Sequence, residues 1–469
     1  MLRVPLSEEV REKPAVSDTS SRVQSHEHGA TRIALLTRGQ ARWRYRIFAI
    51  SWLAYAGFYF CRKNFSVVMP LLRHDLGESN MQLAAVITGY SVLYALGQFL
   101  SGALSDYFGP RRVVGIGMCI VVLANVLMGF QTSLVAFVIL GCLSGAGQST
   151  GWSGLVKNMA CWFRRQERGV VMAWWSTNYV LGGFVATIFA TFAVTQNWLF
   201  PAWGWRRGFW APALVLLIVM LGYVFLVRNH PSEVGLPAIE EDEPVAAPLG
   251  NQGTRRDAPQ PHDSTSVFRG LLLDRTVWII SAMYFFLKLT RYGFLFWLPV
   301  YMTQHLHYSV REAGYTSSLY ELVGFSGAII AGYASDKLVQ SRRFPVGAVM
   351  LWGLALVSLI HPMLAARGHW GNALGISLIG IMTFGPDTLM SGAAAQDVGS
   401  QRGAATAAGF IDGVGSIGQI LSPYLVALVT EKYGWDTLFY LFVAFSVTGG
   451  CLLATRWNYA PRTAHPLAT

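Results

Sequence analysis

The stretch Tyr55-Ala-Gly-Phe-Tyr-Phe-Cys-Arg-Lys-Asn-Phe-Ser-Val-Val-Met-Pro70 lies inside an apolar run, from Ile47 to Leu72, that is long enough to cross a bilayer. Two adjacent cations, Arg62 and Lys63, stand near the middle of this run. One charge at the bilayer centre costs about 2.5–3.5 kcal/mol on insertion scales. Snorkelling to an interface is the alternative, but about ten apolar residues on either side keep both ends out of easy reach. The stretch therefore predicts a membrane helix whose cations face a wet cavity that attracts negative charge.

The composition is that of a polytopic membrane protein embedded in a lipid bilayer. Of the 469 residues, 53% are hydrophobic and only 13% are charged, and the apolar residues recur in blocks of about twenty. The net charge of +11 could indicate a nucleic-acid partner. The arginines, however, lie in short loops between the apolar blocks, where the positive-inside rule accounts for them. We therefore expect no nucleic-acid partner and a multi-pass protein of the cell (inner) membrane.

The apolar blocks form two sets of six predicted spans. A polar N-terminal tail, residues 1–46, ends in a basic cluster that predicts a cytoplasmic N-terminus, and an even number of spans returns the C-terminus to the same side. The predicted regions are the tail 1–46, a six-helix half 47–228, a polar cytoplasmic linker 229–275, a second six-helix half 276–457 and a cytoplasmic tail 458–469. The spans are predicted at 47–72, 82–105, 112–131, 133–162, 168–194, 207–228, 276–303, 312–335, 344–366, 371–396, 403–430 and 436–456.

A short motif occurs once in each half. Gly102-Ala-Leu-Ser-Asp106, followed by Arg111-Arg112, returns as Gly332-Tyr-Ala-Ser-Asp336, followed by Arg342-Arg343, and the second aspartate comes 230 residues after the first (336 − 106). A parallel duplication of six-span halves is a transporter architecture with its site at the midplane between the halves. Twelve spans with two such loops resemble the major facilitator superfamily. We expect an all-α membrane protein with 12 transmembrane helices in two pseudo-symmetric halves, and a cytoplasmic charge network that includes Asp106, Arg112 and Asp336.

The intramembrane arginine is also repeated. Arg291 in the seventh span follows Arg62 by 229 residues (291 − 62). Arginine stays charged at any working pH, and its planar fork matches the oxygens of phosphate or carboxylate. Two forks that face each other favour a doubly charged tetrahedral oxyanion. The alternative is that buried carboxylates neutralise them, but the candidate cations outnumber the candidate carboxylates four to three. The cations are Arg62, Lys63, Lys288 and Arg291, and the carboxylates are Glu321, Asp387 and Asp412.

Several stretches resemble the organophosphate:phosphate antiporters, a family within this superfamily that contains the glycerol-3-phosphate and hexose-6-phosphate antiporters. The resemblance runs from about Arg44 to Arg456. It implies that the two arginines grip phosphate and that Tyr55, Tyr59 and Tyr94 line the pocket. The stretches are Tyr55…Tyr59…Arg62-Lys-Asn-Phe…Met69-Pro70, Gln148…Gly151-Trp152, Pro231-Ser-Glu-Val-Gly-Leu-Pro237 and Arg291-Tyr-Gly…Trp297-x-Pro-x-Tyr301.

The chain departs from the bacterial glycerol-3-phosphate antiporter around the rest of the pocket. Gln98 stands where that antiporter has a lysine, Tyr179 where it has a histidine, and Phe296 where it has an aspartate. Lys288 lies one turn before the second arginine, on the same helix face, and we expect it to replace the missing charge. Asp412 is new relative to that antiporter. The resemblance thus implies a retained phosphate grip and a different pocket for the organic moiety.

The expected function is secondary active exchange of an organophosphate for inorganic phosphate, by alternating access, in a monomer without cofactor or enzymatic activity. Two alternatives stay open: a non-transporting sensor of sugar phosphates, and a proton-coupled organic-anion symporter in which Asp387 or Asp412 titrates. The ten histidines show no metal-ligand spacing, so we expect no metal site. Glycine runs in the fifth and eleventh spans lack the strand that precedes a nucleotide-binding loop, and close helix packing explains them better.

Overall fold

The computed structural model describes residues 38–163, 168–196, 198, 200–237, 273–340 and 342–459, most of them in helices. The predicted linker and the two predicted tails therefore lie largely outside the described residues. The described residues of the N-terminal half form seven α-helices. They are α1 (Arg38–Leu76), α2 (Asn80–Phe108), α3 (Pro110–Met128), α4 (Leu134–Trp162), α5 (Arg168–Trp175), α6 (Thr177–Thr195) and α7 (Arg207–Leu226).

The C-terminal half comprises six α-helices and two π-helical turns. The helices are α8 (Arg275–Gln304), α9 (Val310–Tyr333), α10 (Arg343–Ala365), α11 (His369–Thr388), α12 (Ala395–Tyr433) and α13 (Trp435–Ala454). The π-helical turns are Ala334–Leu338, after α9, and Leu389–Ala394, between α11 and α12. Side-chain caps mark several helix starts, including a capping box between Ser309 and Glu312 at α9.

Several predicted boundaries differ from the structure: α1, for example, begins at Arg38, inside the predicted N-terminal tail 1–46. The fifth predicted span is split at Ser176 into α5 and α6. The polar stretch 397–402, predicted as a loop between the tenth and eleventh spans, is helical and belongs to α12. A polar sequence can continue a helix beyond the membrane, because hydropathy reports the surroundings of a segment and not its backbone conformation.

Helix length and hydropathy support the predicted spans. Nine helical segments in the described part of the chain are long and apolar enough to cross a membrane, and a bent pair within α2 makes a tenth. The other two predicted spans correspond to α1 and α9, which carry Arg62, Lys63 and Glu321 in their middle turns. A helix that lines a polar interior tolerates such charges, whereas one that faces lipid does not.

The two halves pack in the same way. In the N-terminal half α1 packs against α6 and α7, α2 against α4, and α3 against α4 and α7. The corresponding contacts of the C-terminal half join α8 to α12 and α13, α9 to α11, and α10 to α11 and α13. Between the halves α1 contacts α8, α2 contacts α12, and α6 contacts α9. These contacts follow the same pattern in both halves, as an internal duplication requires.

Glycines allow the closest of these approaches. A Cβ at Gly182 would overlap Ala56 of α1, and a Cβ at Gly183 would overlap the Glu321 carboxylate of α9. These two residues form one of the glycine runs in the fifth predicted span, so α6 uses them to pack directly against both halves.

The start of the predicted linker packs on the N-terminal half. The backbone N–H of Arg111 donates to Asn229 Oδ1 at 2.9 Å, and Trp162 Nε1 donates to the Arg228 carbonyl at 3.0 Å. Gln40 Nε2 reaches the Pro237 carbonyl at 3.2 Å. Residues 228–237 therefore belong structurally to the first half.

Candidate substrate-binding site

Arg62 lies on α1 among aromatic rings and one amide. Its Nε donates to Gln148 Oε1 at 2.9 Å and its Nη1 to Tyr59 Oη at 3.4 Å. The guanidinium carbon lies 4.9 Å from the Tyr59 ring centroid, 5.9 Å from that of Tyr90 and 4.7 Å from that of Tyr94. These neighbours are neutral, so they hold the side chain in place while its positive charge stays uncompensated.

Gln148 of α4 is itself oriented by its surroundings. Its Nε2 donates to the Cys61 carbonyl at 3.2 Å and to Ser144 Oγ at 3.4 Å, and its Oε1 also accepts from Tyr90 Oη at 2.9 Å. The amide oxygen therefore points at Arg62. In the sequence Gln148 stood out only within the family resemblance, and a single glutamine in a glycine-rich helix carries no other signal of this role.

Arg291 of α8 has a different environment. Its Nη1 donates to Asp387 Oδ2 at 2.7 Å, and Tyr284 Oη donates to the other oxygen of this carboxylate at 3.0 Å. The guanidinium carbon lies 4.9 Å from the Phe384 ring centroid and 5.9 Å from that of Tyr292. The arginine that corresponds to Arg62 in the second half is thus paired with a carboxylate.

Lys288 and Asp412 form a second ion pair in the C-terminal half. Lys288 Nζ lies 2.7 Å from Asp412 Oδ1 and 5.0 Å from the centroid of the Tyr284 ring. The lysine side chain is 5% exposed, whereas the aspartate side chain is 46% exposed. Asp412 therefore neutralises Lys288 and still presents its carboxylate to open space.

Lys63 does not join the Arg62 cluster. Its Nζ donates to the Leu295 carbonyl of α8 at 3.0 Å and lies 3.4 Å from Glu321 Oε1 of α9. Both ions are almost fully buried. We predicted Lys63 as a substrate-binding residue, and the structure places its ammonium between the halves, with Glu321 as its partner.

The buried charges do not balance at every position. Arg291, Lys288 and Lys63 each have one carboxylate partner. In the described part of the chain, no ion pair includes Arg62. The net positive charge predicted for the cavity is thus concentrated at this one guanidinium. An uncompensated charge in a low-dielectric interior favours the binding of a counter-ion.

An aromatic series connects the two arginine environments. The Phe296 ring centroid lies 6.5 Å from that of Tyr90 in the N-terminal half and 6.1 Å from that of Tyr292 in its own half. The Tyr90 ring centroid lies 5.9 Å from the guanidinium carbon of Arg62, and that of Tyr292 lies 5.9 Å from the guanidinium carbon of Arg291. The rings of α2 and α8 thus form a continuous series from one arginine to the other.

The remaining predicted pocket residues lie around these groups. Tyr55 is buried and packs against Tyr59, with ring centroids 5.8 Å apart. Gln98 Nε2 donates to Tyr94 Oη at 3.0 Å, so it orients a ring that covers Arg62. Tyr179 of α6 is partly buried and packs against the hydrophobic core.

The aspartates of the repeated motif pair within their own halves. Asp106 pairs with Lys157 of α4, a residue that the motif did not identify, and among the described residues no ion pair includes Arg112. Asp336 pairs with Arg343, whose Nε also lies 3.3 Å from Asp397 Oδ2. These contacts tie α2 to α4 in the first half and the turn after α9 to α10 and α12 in the second.

Several hydrogen bonds between the halves cluster at one end of the molecule. We define the outer end of the molecule as the end where α1 finishes and α2 begins. There Asn80 Nδ2 bonds to Gln304 Oε1 at 3.3 Å and to Thr430 Oγ1 at 3.4 Å, and the Met81 N–H donates to Glu431 at 2.9 Å. Together with the contacts of Lys63, these bonds close the outer end.

Several characterised proteins are similar to this chain. A probable hexose phosphate transport protein from Chlamydia pneumoniae is 29% identical over 89% of this chain and 91% of that relative. The glycerol-3-phosphate transporter of Bacillus subtilis is 29% identical over 90% of this chain and 94% of its own length. The membrane sensor protein UhpC of Escherichia coli is 28% identical over 87% and 90%. These relatives confirm the family resemblance predicted from the motifs.

Solved structures agree with the fold. A bacterial homologue of the human lysosomal transporter Spinster, crystallised in an inward-facing and unoccupied conformation, superposes with a TM-score of 0.68 at 14% identity, over 89% of this chain and 96% of that chain. A D-xylose-proton symporter superposes with a TM-score of 0.68 at 13% identity, over 90% and 98%. Residues 51–418 match the sequence profile of the Major Facilitator Superfamily. With two duplicated six-span halves joined around a central charged site, the chain belongs to the Major Facilitator Superfamily.

Proposed function

We propose that this transporter exchanges an organophosphate for inorganic phosphate by alternating access, releasing both molecules chemically unchanged. The observation that carries the proposal is the environment of Arg62, a buried guanidinium whose hydrogen-bond partners are neutral. A phosphate dianion supplies the charge that this position lacks, and a guanidinium fork binds phosphate oxygens bidentately. The names of the relatives, which are transporters of hexose phosphate and glycerol 3-phosphate, point to the same ligand class.

Arg291 is proposed as the second phosphate ligand. In the structure it pairs with Asp387, so binding a dianion requires Asp387 to share or release the guanidinium. Two groups can then stabilise the displaced carboxylate. Tyr284 already donates to Asp387, and Lys288 lies one turn before Arg291, beside the Tyr284 ring. The organic moiety is then placed near Asp412, Tyr179 and Phe296, which are among the positions that differ from the bacterial glycerol-3-phosphate antiporter.

The inter-half contacts support alternating access. The outer end is closed by hydrogen bonds from Lys63, Asn80 and Met81 to the C-terminal half. By the charge asymmetry of the loops, we propose that the opposite end and both termini face the cytoplasm. The structure then corresponds to the state in which substrate binds and leaves on the cytoplasmic side. A single copy of the chain carries out the transport.

Exchange follows from the unbalanced charge. In the empty protein, the transition between states carries the uncompensated Arg62 through a closed and poorly hydrated intermediate, which is unfavourable in a low dielectric. Either phosphate or an organophosphate removes this cost, because each supplies a dianion. The empty carrier therefore changes state slowly and the loaded carrier quickly.

Counterflow in proteoliposomes tests the proposal. Vesicles loaded with labelled phosphate should lose it slowly into phosphate-free buffer, and about tenfold faster or more when phosphate or a sugar phosphate is added outside. No proton gradient should be needed. Fast efflux without a counter-substrate would indicate a uniporter or a proton symporter. Tight binding of a sugar phosphate without flux would indicate a sensor, which is what the name of the Escherichia coli relative describes.

A further inference from the structure

Pro299 in α8 leaves one backbone carbonyl without a helical donor. Proline has no N–H, so the carbonyl four residues earlier, that of Leu295, loses its intrahelical hydrogen bond. This carbonyl accepts from Lys63 Nζ at 3.0 Å and from Ser66 Oγ at 3.5 Å. Ser66 Oγ also donates to the next carbonyl, that of Phe296, at 2.9 Å. Both donors come from α1, so the carbonyl that proline releases is used to bind the other half.

The contact joins equivalent positions of the duplicated halves. Pro299 follows Pro70 of α1 by 229 residues (299 − 70), and Leu295 follows Ser66 by the same 229 residues. Ser66 and Leu295 therefore each stand four residues before a proline, and they meet near the pseudo-twofold axis between α1 and α8. The two sides are nevertheless used differently: α1 supplies side-chain donors, and α8 supplies backbone acceptors.

The contact is buried and partly charge-assisted. Lys63 is 5% exposed and Ser66 is 1% exposed. A buried carbonyl without a donor is unfavourable, and hydrogen bonds from an ammonium are stronger than neutral ones. Separation of α1 from α8 at the outer end would remove both donors from Leu295 at once, and the α8 backbone could not replace them. The missing N–H of Pro299 therefore raises the free energy of opening the outer end.

We propose that Pro299 is a positioning residue for transport: it keeps the Leu295 carbonyl available to Lys63 and Ser66, and so determines how strongly the outer end is closed. The inference rests on the proposed alternating exchange and deepens it, because it assigns the balance between the two states to one backbone acceptor. Glu321 holds the same ammonium, but as a side chain it can follow Lys63 when the halves move, whereas the carbonyl cannot.

The test replaces Pro299 and reads the effect in the other half. Pro299→Ala restores an N–H at residue 299, which satisfies the Leu295 carbonyl within α8. Hydrogen–deuterium exchange of the full chain in nanodiscs is followed at the outer end of α1 and the start of α2, residues 63–83, which do not carry the substitution. We expect exchange there about tenfold faster or more, because opening the outer end then no longer leaves the Leu295 carbonyl without a donor. Ser66→Ala removes mainly the hydrogen bond to the Phe296 carbonyl, so its smaller effect, measured at the start of α2, should add to that of Pro299→Ala.

Pro70→Ala is the matched control. It restores the equivalent N–H in α1, but no inter-half hydrogen bond of the described residues ends on the Ser66 carbonyl, so exchange in α2 and at the outer end of α12 should remain at the parental rate. Parental exchange in Pro299→Ala, or an equal effect of Pro70→Ala, overturns the proposal. If Pro299→Ala does not elute as a folded protein, Pro299→Ser, which restores the same N–H, takes its place, and parental exchange in that variant also overturns the proposal. If the parent shows no phosphate counterflow but Pro299→Ala still accelerates hydrogen–deuterium exchange, the proposed function is rejected. The role of the Leu295 carbonyl in closing the outer end then still holds.

Discussion

The Nε of Arg62 lies 2.9 Å from the amide oxygen of Gln148, whereas the equivalent arginine of the second half, Arg291, lies 2.7 Å from a carboxylate oxygen of Asp387. Two residues related by the internal duplication thus have partners of different charge. Arg62 is the position where an incoming dianion meets a charge that is not yet compensated. Arg291 can bind the same anion only by exchanging one carboxylate or phosphate oxygen for another.

The first prediction concerns Gln148. Gln148→Glu places a carboxylate beside Arg62 and converts it into a copy of the Arg291 pair, so affinity for inorganic phosphate should fall about tenfold or more. Scintillation proximity binding of labelled phosphate to purified protein measures this. Gln148→Asn is the control, because it keeps the neutral amide and should retain more affinity than Gln148→Glu. Equal affinities of Gln148→Glu and the parent would show that the charge of Arg62 does not recruit the ligand.

The second prediction concerns the two arginines themselves. Arg62→Lys and Arg291→Lys each keep the charge and lose the planar fork, so each should reduce phosphate counterflow about 100-fold or more. Expression and elution from a size-exclusion column should stay near those of the parent. Transport by either variant close to the parental rate would contradict a site made by two guanidinium groups.

The third prediction concerns the pair of Lys288 and Asp412, which lie 2.7 Å apart. Lys288→Gln leaves an unpaired carboxylate in the site, and we expect the half-saturating phosphate concentration to rise about tenfold. Adding Asp412→Asn removes that carboxylate and should recover part of the loss, measured by counterflow at graded phosphate concentrations. If Lys288→Gln alone leaves the half-saturating concentration unchanged, the pair does not contribute to the anion site.

The fourth prediction concerns Lys63 and Glu321. Lys63→Met leaves Glu321 buried without its cation, which should lower the free energy of unfolding by about 3–5 kcal/mol. The double variant with Glu321→Gln should be more stable than either single variant, as measured by thermal unfolding in detergent. The double variant should nevertheless exchange phosphate more slowly than the parent, because the closed outer end has lost a contact between the halves. Additive losses of stability would show that the two side chains do not interact.

Some site residues can be identified from the sequence of their own helix, and others cannot. Arg62, Arg291 and Lys288 could be predicted as cavity residues, because a cation in the middle of an apolar run is costly unless it faces water or an anion. Gln148 and Ser66 could not be predicted from their own helices, since buried amides and hydroxyls are frequent in membrane interiors for packing alone. Asp106 was recognised from its motif, but its partner Lys157 lies on a different helix, 51 residues away.

The sequence by itself determined the helical class, the duplication and the central position of the cations, because bilayer thickness imposes a length on each span and a repeated motif marks each half. Only the tertiary structure decided which charge meets which partner. Lys288 and Asp412 are 124 residues apart, Arg291 and Asp387 are 96 apart, and Lys63 reaches a carbonyl 232 residues away. These contacts depend on the rotation and packing of whole helices, and the hydrophobic pattern of a single helix does not contain that information. The asymmetry between Arg62 and Arg291, which the duplicated sequence conceals, arises from the helices packed around them.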